Sequence, residues 1–91
     1  MSNKQFLADI ISPQDIIYSG EAVSLVAPGE LGSFGILPGH APLVSKLIPG
    51  PIIVKESSGK ILRFQSRANG ILEVQKDQVK VLVDHAENEP I

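Results

Sequence analysis

The chain has 91 residues and a formal net charge of −2, with eight basic and ten acidic side chains and no cysteine or tryptophan. Without cysteine there is no disulfide framework, no thiolate chemistry and no Cys-ligated zinc or iron–sulfur site. The near balance of charge leaves no basic field that would hold nucleic acid or an anionic lipid surface. Length and composition therefore predict one small domain with an apolar core and no covalent cross-links.

The apolar residues favour strands over helices. Eleven isoleucines and eight valines outnumber six alanines, and β-branched side chains pack well on a pleated surface. Seven prolines and eight glycines divide the chain into short segments that leave little room for a helix of three turns. No apolar run approaches the roughly 20 residues of a membrane span, and we expect no secretion signal.

Two apolar runs open the chain and predict its first strands. The first is Phe6–Ile11, and the second spans residues 16–27. Alternation of side chains within the second run is typical of a half-buried strand. It predicts Val23 and Leu25 on one face of this strand and Ala22 on the other.

Three Pro-Gly dipeptides, at positions 28–29, 38–39 and 49–50, predict turns. Proline fixes φ at the second position of a turn, and glycine accepts the positive φ that a type II turn needs next. Turns so closely spaced leave room only for short strands between them, such as Leu43–Ile48.

Two hairpins are predicted in the second half of the chain, because paired apolar faces flank a short polar connection in each. The pairs are residues 51–56 with 60–65, and residues 71–75 with 79–84.

The domain is predicted to cover residues 1–86. Residues 87–91 are acidic and without pattern, and we expect them to form a disordered tail. Eight to ten short strands with little helix predict an all-β fold, either a β-sandwich or a flattened barrel.

The glycines at positions 29, 32 and 35 have G-x-x-G-x-x-G spacing. A dinucleotide-binding fingerprint needs G-x-G-x-x-G between a strand and a helix, and Pro38 and Pro42 exclude a helix here. No Gly-Lys-Ser/Thr ending of a phosphate-binding loop follows. We therefore expect these glycines to serve turns and close backbone approach, with no nucleotide cofactor.

The remaining polar residues predict no catalytic or metal site. His40 and His85 are far apart in the sequence, and no carboxylate spacing completes a zinc site with them. No Gly-x-Ser-x-Gly nucleophile motif is present. Lys76, at the predicted tip of the second hairpin, leaves an alternative open: a stand-alone carrier with a lipoyl or biotinyl group on this lysine, or a ligand-binding module.

The segment Phe34–Val44 combines apolar residues with two prolines and two glycines. Loops usually contain few apolar residues unless something covers them. The segment therefore either packs on its own sandwich or meets a partner, and composition favours packing.

Two neighbouring strings, residues 26–32 (VAPGELG) and 34–43 (FGILPGHAPL), closely resemble the epsilon subunit of bacterial and chloroplast F-type ATP synthases. Supporting similarities follow the family order and bring the resemblance to about residues 5–86. They lie at residues 6–12, 18–22, 47–50 and 69–74.

This resemblance implies a ten-stranded β-sandwich of two five-stranded sheets. It also implies a rotor subunit of the central stalk that binds the gamma subunit and the c-ring and helps couple proton flow to ATP synthesis. Such a subunit performs no chemistry and needs no cofactor or nucleic acid. It associates with the membrane only through the complex, at the cytoplasmic face of the bacterial inner membrane or the stromal face of the thylakoid.

The resemblance also implies a set of partner-binding residues. The loop around Glu30 matches the family's c-ring contact, the region of His40 matches one near gamma and the ring, and Ser12 lies near the same interface. The full set is Ser12, Gly29, Glu30, Leu31, Gly32, Leu37, Pro38, Gly39, His40, Ala41 and Pro42.

Family members usually continue into two C-terminal helices that can inhibit ATP hydrolysis and, in some members, bind ATP. The sequence shows no such helices after Ala86. We therefore expect neither inhibition nor nucleotide sensing from it.

Overall fold

The computed structural model of the chain describes residues 4–89. Among these residues, none lies in a helix that is long and apolar enough to cross a membrane. The described residues form nine strands: β1 (Phe6–Ile11), β2 (Ile16–Gly29), β3 (Gly32–Ile36), β4 (Leu43–Leu47), β5 (Gly50–Glu56), β6 (Ile61–Ser66), β7 (Gly70–Gln75), β8 (Gln78–Val83) and β9 (Ala86–Glu89).

The long strand β2 belongs to both sheets. Its first half, up to Ala22, pairs with β1, and its second half pairs with β3 and β5. From β1 the first sheet continues through β8 and β7 to β4, and from β5 the second sheet continues through β6 to β9. We call β2-β1-β8-β7-β4 the first sheet and β3-β2-β5-β6-β9 the second sheet.

The all-β sandwich expected from the sequence is confirmed, and so are both predicted hairpins, β5–β6 and β7–β8. Nine strands are present in the described residues where ten were expected. The two numbers differ because β2 is a single strand of the chain but belongs to both sheets. Each sheet therefore has five strands although the described residues form nine.

The core lies between the two sheets and takes alternate side chains from most of the strands, as period-2 geometry requires. Burying each large apolar side chain contributes about 1.5–3 kcal/mol to folding. The largest fully buried apolar side chains of the core are Ile10, Leu25, Ile36, Ile52, Val54, Phe64, Leu72, Val79 and Val81.

A bulge in β2 reverses the facing of its side chains. The register to β5 shifts between Ala22 and Ser24, and an extra residue moves the following side chains to the opposite face. As a result Ala22 and Leu25 are both fully buried, whereas Val23 is only partly buried. The predicted grouping of Val23 with Leu25 is therefore wrong.

The turn predicted at Pro38-Gly39 is confirmed. The backbone N–H of His40 donates to the carbonyl of Leu37 at 3.1 Å. Gly39 has a φ of 82°, which a residue with a side chain rarely adopts.

The turn predicted at Pro28-Gly29 is wrong, because both residues lie inside β2 opposite β3. The hairpin turns at Glu30 and Leu31 instead. A Cβ on Gly29 would lie 2.8 Å from the Phe34 ring, so glycine serves close packing here. The third dipeptide also differs from expectation, since its glycine begins β5.

The tail predicted to be disordered forms strand β9 at residues 86–89, which corrects that prediction; residues 90–91 lie outside the described part. Strand β9 pairs with β6 along its whole length. Arg63 Nε lies 3.1 Å from Glu89 Oε1, and Arg67 Nε lies 3.0 Å from Glu87 Oε1. The hydrogen bond from Arg67 lowers the pKa of the Glu87 carboxyl. The acidic residues that suggested disorder thus meet arginines of β6 and of the segment that follows it.

Tyr18 connects the first half of β2 with the second sheet. Its hydroxyl donates to Glu56 Oε2 at 2.6 Å, and its ring centroid lies 5.5 Å from that of Phe64. A Cβ at Gly20 would collide with the Tyr18 hydroxyl, so glycine makes room for it. Burial, then the hydrogen bond to Glu56 and its charge, raises the pKa of Tyr18.

We expect Tyr18→Phe to lower the free energy of unfolding by about 1–2 kcal/mol near neutral pH, because a hydrogen bond to a carboxylate is lost. Since folding raises this pKa, the stabilisation is full below pH about 10 and is lost as pH rises towards the folded value. Tyr18 is the single tyrosine and there is no tryptophan, so tyrosinate absorbance reports this group alone. An alkaline loss of stability that is equally steep in Tyr18→Phe would contradict the assignment.

Candidate partner-binding surface

Exposed apolar side chains concentrate on the first sheet. Among residues 4–89, nine large apolar side chains are exposed. Five belong to strands of the first sheet: Leu7, Ile16, Val44, Ile71 and Leu82. Three lie in connections, Leu31, Leu37 and Ile48, and Ile61 belongs to the second sheet.

Three of the outward side chains on the first sheet form a continuous row. Ile11 of β1 is opposite Leu82 of β8, and Leu82 is opposite Ile71 of β7. Side chains at such cross-strand positions lie about 4.5–5.5 Å apart at Cβ and contact each other. We call Ile11, Leu82 and Ile71 the apolar row; Lys46 of β4 continues it beyond Ile71.

A cleft of about 690 Å³ lies against the apolar row at one end of the sandwich. The strand ends of β1, β4 and β8, the start of β7 and the β2–β3 turn meet there. Besides the apolar row, its walls include Ser12, Glu30, Lys46, Ile48 and Asp84.

The charged side chains of the cleft are not neutralised by the chain itself. Glu30, Lys46 and Asp84 take no part in the ion pairs of residues 4–89 that join Arg63, Arg67 and His85 to Glu87 and Glu89. The cleft therefore offers an apolar floor with two carboxylates and one ammonium around it. Such a surface suits binding of a macromolecule or a ligand, with polar contacts at the rim.

Nothing in the described part of the chain is arranged to hold a metal. No group of three or more histidine, aspartate or glutamate side chains comes together among residues 4–89. His85 lies near Glu87, with Nε2 and Oε1 3.6 Å apart, whereas His40 lies in the turn after β3.

The structure brings two of the predicted site residues together. Ser12, just after β1, and Glu30, in the β2–β3 turn, line the same cleft. Leu31 follows at the tip and is fully exposed. The backbone N–H of Ile48 donates to the carbonyl of Pro28 at 2.9 Å and holds this hairpin against the end of β4.

The predicted residues Leu37–Pro42 lie away from this cleft. Strand β3 leads from the Glu30 turn to Leu37, and β4 leads back, so these groups are separated by about 13–17 Å along the strands. His40 is exposed, and its Nδ1 lies 2.7 Å from the carbonyl oxygen of Ala41. A second cavity of about 380 Å³ has Pro42 and the exposed Val44 among its lining residues.

Sequence reasoning missed the apolar row, together with Lys46 and Ile48. The signal was present in the strands: Ile71 and Leu82 occupy positions that alternate with the buried Leu72 and Val81. Outward positions of an antiparallel strand are usually polar, so apolar residues at these positions indicate a covered face.

The sequence matches the family model of the ATP synthase Delta/Epsilon chain beta-sandwich domain over residues 5–89. The ATP synthase epsilon chain of Xanthomonas campestris pv. campestris (strain B100) is 51% identical over 78 residues. That of Xanthomonas oryzae pv. oryzae (strain MAFF 311018) is 49% identical over 78 residues. Each alignment covers 86% of this chain and 55% of the relative, so the chain spans about half the length of these relatives.

Two solved assemblies contain chains of the same fold. A chain of the Euglena gracilis mitochondrial ATP synthase OSCP/F1/c-ring structure superimposes with a TM-score of 0.88 at 20% identity, covering 97% of this chain and 56% of that one. A chain of the Tetrahymena thermophila central stalk/c-ring structure gives 0.73 at 16% identity, covering 94% and 68%. These superpositions show the shared fold. The match to the family model over residues 5–89 and the 51% identity to a curated relative show that the chain belongs to the ATP synthase Delta/Epsilon chain beta-sandwich family.

Proposed function

We propose that this chain acts as a rotor subunit of the central stalk of an F-type ATP synthase, where it binds the gamma subunit and the c-ring. Its relatives are ATP synthase epsilon chains, and the proteins of similar fold come from assemblies that contain a c-ring. The observation that carries the proposal is the apolar row beside the cleft, since a face of this kind is stabilised when a partner covers it.

Two partners can be bound at once because the candidate residues lie at separate places. The Glu30–Leu31 tip projects from one end of the sandwich, with Leu31 fully exposed. We assign this tip to the polar loops of the c-ring. The outer face of the first sheet extends from the cleft to the Leu37–Pro42 turn, and we assign this face to gamma.

The chain's contribution is mechanical and requires no catalytic group. A subunit that turns with the rotor must transmit force between its partners without deforming, and a close-packed core resists deformation. Attachment to the c-ring places the chain at the membrane surface on the side that carries the catalytic head. That side is the cytoplasmic face in bacteria and the stromal face in chloroplasts.

Co-purification tests the proposal directly. The tagged chain is mixed with a gamma subunit alone, with a detergent-solubilised c-ring alone, and with both. We expect the tagged chain to retain gamma when gamma is added alone. We expect it to retain the c-ring most strongly when gamma is also present. Failure of the folded chain to retain gamma under any of these conditions would mean that the proposed function is wrong.

We expect Glu30→Lys and His40→Ala to weaken assembly or proton-driven ATP synthesis while leaving the isolated fold intact. Both residues are exposed, and exposed substitutions usually change the free energy of unfolding by less than about 0.5 kcal/mol. ATP synthesis by reconstituted vesicles and urea unfolding measure the two effects separately. Lys60→Glu, a charge reversal in the exposed β5–β6 connection, is the control and should change neither quantity.

A further inference from the structure

Asn69 stands at the edge of the cleft in a chemically reactive position. It is exposed, precedes β7 and lines the cleft. Its side-chain amide has no hydrogen-bond partner among residues 4–89. The next residue, Gly70, has no side chain to shield its backbone N–H from the Asn69 carboxamide.

The fold keeps glycine at position 70. A Cβ there would lie 2.6 Å from the backbone oxygen of Leu82 and 2.7 Å from Val83 Cγ1. A backbone atom cannot give way cheaply, so the close pairing of β7 with β8 excludes a larger residue. The packing of the sandwich thus requires glycine after Asn69, and glycine is the following residue with which an asparagine loses its side-chain amide most readily.

We propose that Asn69 is a site of spontaneous deamidation, which converts an amide beside the cleft into a carboxylate. The backbone nitrogen of Gly70 loses its proton to water and bonds to Cγ of Asn69, while the bond from Cγ to the side-chain nitrogen breaks and ammonia leaves. Water then opens the resulting five-membered imide at either carbonyl and gives aspartate or isoaspartate. One water is consumed and one ammonia released, without any oxidant or cofactor. Gly70 is the first residue of β7, so Asn69 itself lies outside the strand.

The product changes both the charge and the backbone of the cleft. A third carboxylate joins Glu30 and Asp84, with Lys46 as the single cation among these lining residues. Isoaspartate also lengthens the backbone by one carbon just before β7, where Gly70 pairs with Leu47 and Val83. The reaction goes beyond the proposed function and does not depend on it. The consequence for binding rests on the proposed function. An unassembled chain would lose affinity for gamma as it ages, and bound gamma would slow the reaction by covering the cleft.

Peptide mapping of the folded full chain, aged in mildly alkaline buffer, tests the site. Asn88 is the internal control, because it is also exposed but is followed by Glu89. We expect the Asn69 peptide to lose its amide as a mixture of aspartate and isoaspartate while Asn88 stays intact, and Asn69→Gln to abolish the change at this peptide. A parallel sample in urea gives the rate for the open chain.

Two results would overturn the proposal: an Asn69 amide that persists in the folded chain while the urea sample loses it, or equal loss at Asn69 and Asn88. Addition of gamma gives a separate readout. Loss of the Asn69 amide at the same rate with and without bound gamma would exclude protection by gamma and leave the modification site established. Failure to bind gamma at all would instead count against the proposed function alone.

Discussion

Phe64→Ala is expected to lower the free energy of unfolding by about 3–5 kcal/mol, the usual cost of removing a buried phenylalanine ring. Phe64 is 1% exposed, lies opposite Ile52 of β5 and packs its ring against Tyr18. It thereby fills the space between the second sheet and the first half of β2. The loss is large against a total of about 5–14 kcal/mol for a domain of this length. A fall in Tm of at least about 12 °C should accompany it.

Urea unfolding measures this change, followed by circular dichroism and by the fluorescence of Tyr18. Ile61→Ala on the same strand is the matched control, because Ile61 is 48% exposed and should cost less than about 1 kcal/mol. A cost for Phe64→Ala as small as that of the control would mean that the two sheets do not share one core at this point.

Ile71→Lys is expected to raise the Kd for the gamma subunit at least roughly 30-fold, which corresponds to about 2 kcal/mol. Ile71 is the member of the apolar row that links β8 to β4, and it lines the cleft. A lysine there would have to be desolvated beneath the partner, beside Lys46, and the apolar contact would be lost. Isothermal calorimetry or surface plasmon resonance with purified gamma measures the effect.

Ile61→Lys provides the control for this substitution. Ile61 and Ile71 are both strand isoleucines with similar exposure, 48% and 42%, but Ile61 belongs to the second sheet. We expect Ile61→Lys to bind gamma as the unmodified chain does. Equal weakening by the two substitutions would indicate a nonspecific effect, and no weakening by Ile71→Lys would show that gamma does not cover the apolar row.

The first prediction concerns an inward side chain of the sandwich and the second an outward one, and the β7–β8 pair contains both kinds. Leu72 and Val81 point into the core between the sheets, and their neighbours Ile71 and Leu82 point outward. Substitutions on the inner face should change stability, whereas substitutions on the outer face should change binding. The proposed role as a mechanical link needs both, because force reaches a partner only through a rigid body held at a specific surface.

Local sequence patterns predicted most of the strands correctly. An apolar run identified β1, and alternation identified the β7–β8 hairpin, because side chains on successive residues of a strand point to opposite faces. The Pro38-Gly39 turn was predictable for a similarly local reason, since proline and glycine set the backbone angles by themselves. Two of the cleft residues, Ser12 and Glu30, were predicted from the family resemblance.

The errors arose where pairing with another strand overrides the preference of the local sequence. Pro28-Gly29 lies within a strand because β3 pairs alongside it, although the same dipeptide favours a turn in isolation. The alternation in β2 fails where this strand passes from the first sheet to the second. The tail is ordered because β6 supplies a backbone edge, with Arg63 bonded to Glu89. Strand β3 follows β2 directly, whereas β5, which pairs with β2 at the bulge, and β6, which pairs with β9, are far from their partners in the sequence.

The sequence by itself determined the all-β class, the family and the exclusion of thiol chemistry, because these depend on residue types and their local spacing. The tertiary structure alone decided which exposed residues form one surface. The apolar row comes from three strands, and β1 is far from β7 and β8 in the sequence. Its side chains Ile11, Leu82 and Ile71 become neighbours through the registers of β1 with β8 and of β8 with β7. A period of two shows which way a side chain points, but strand order and register are set by packing across the whole core.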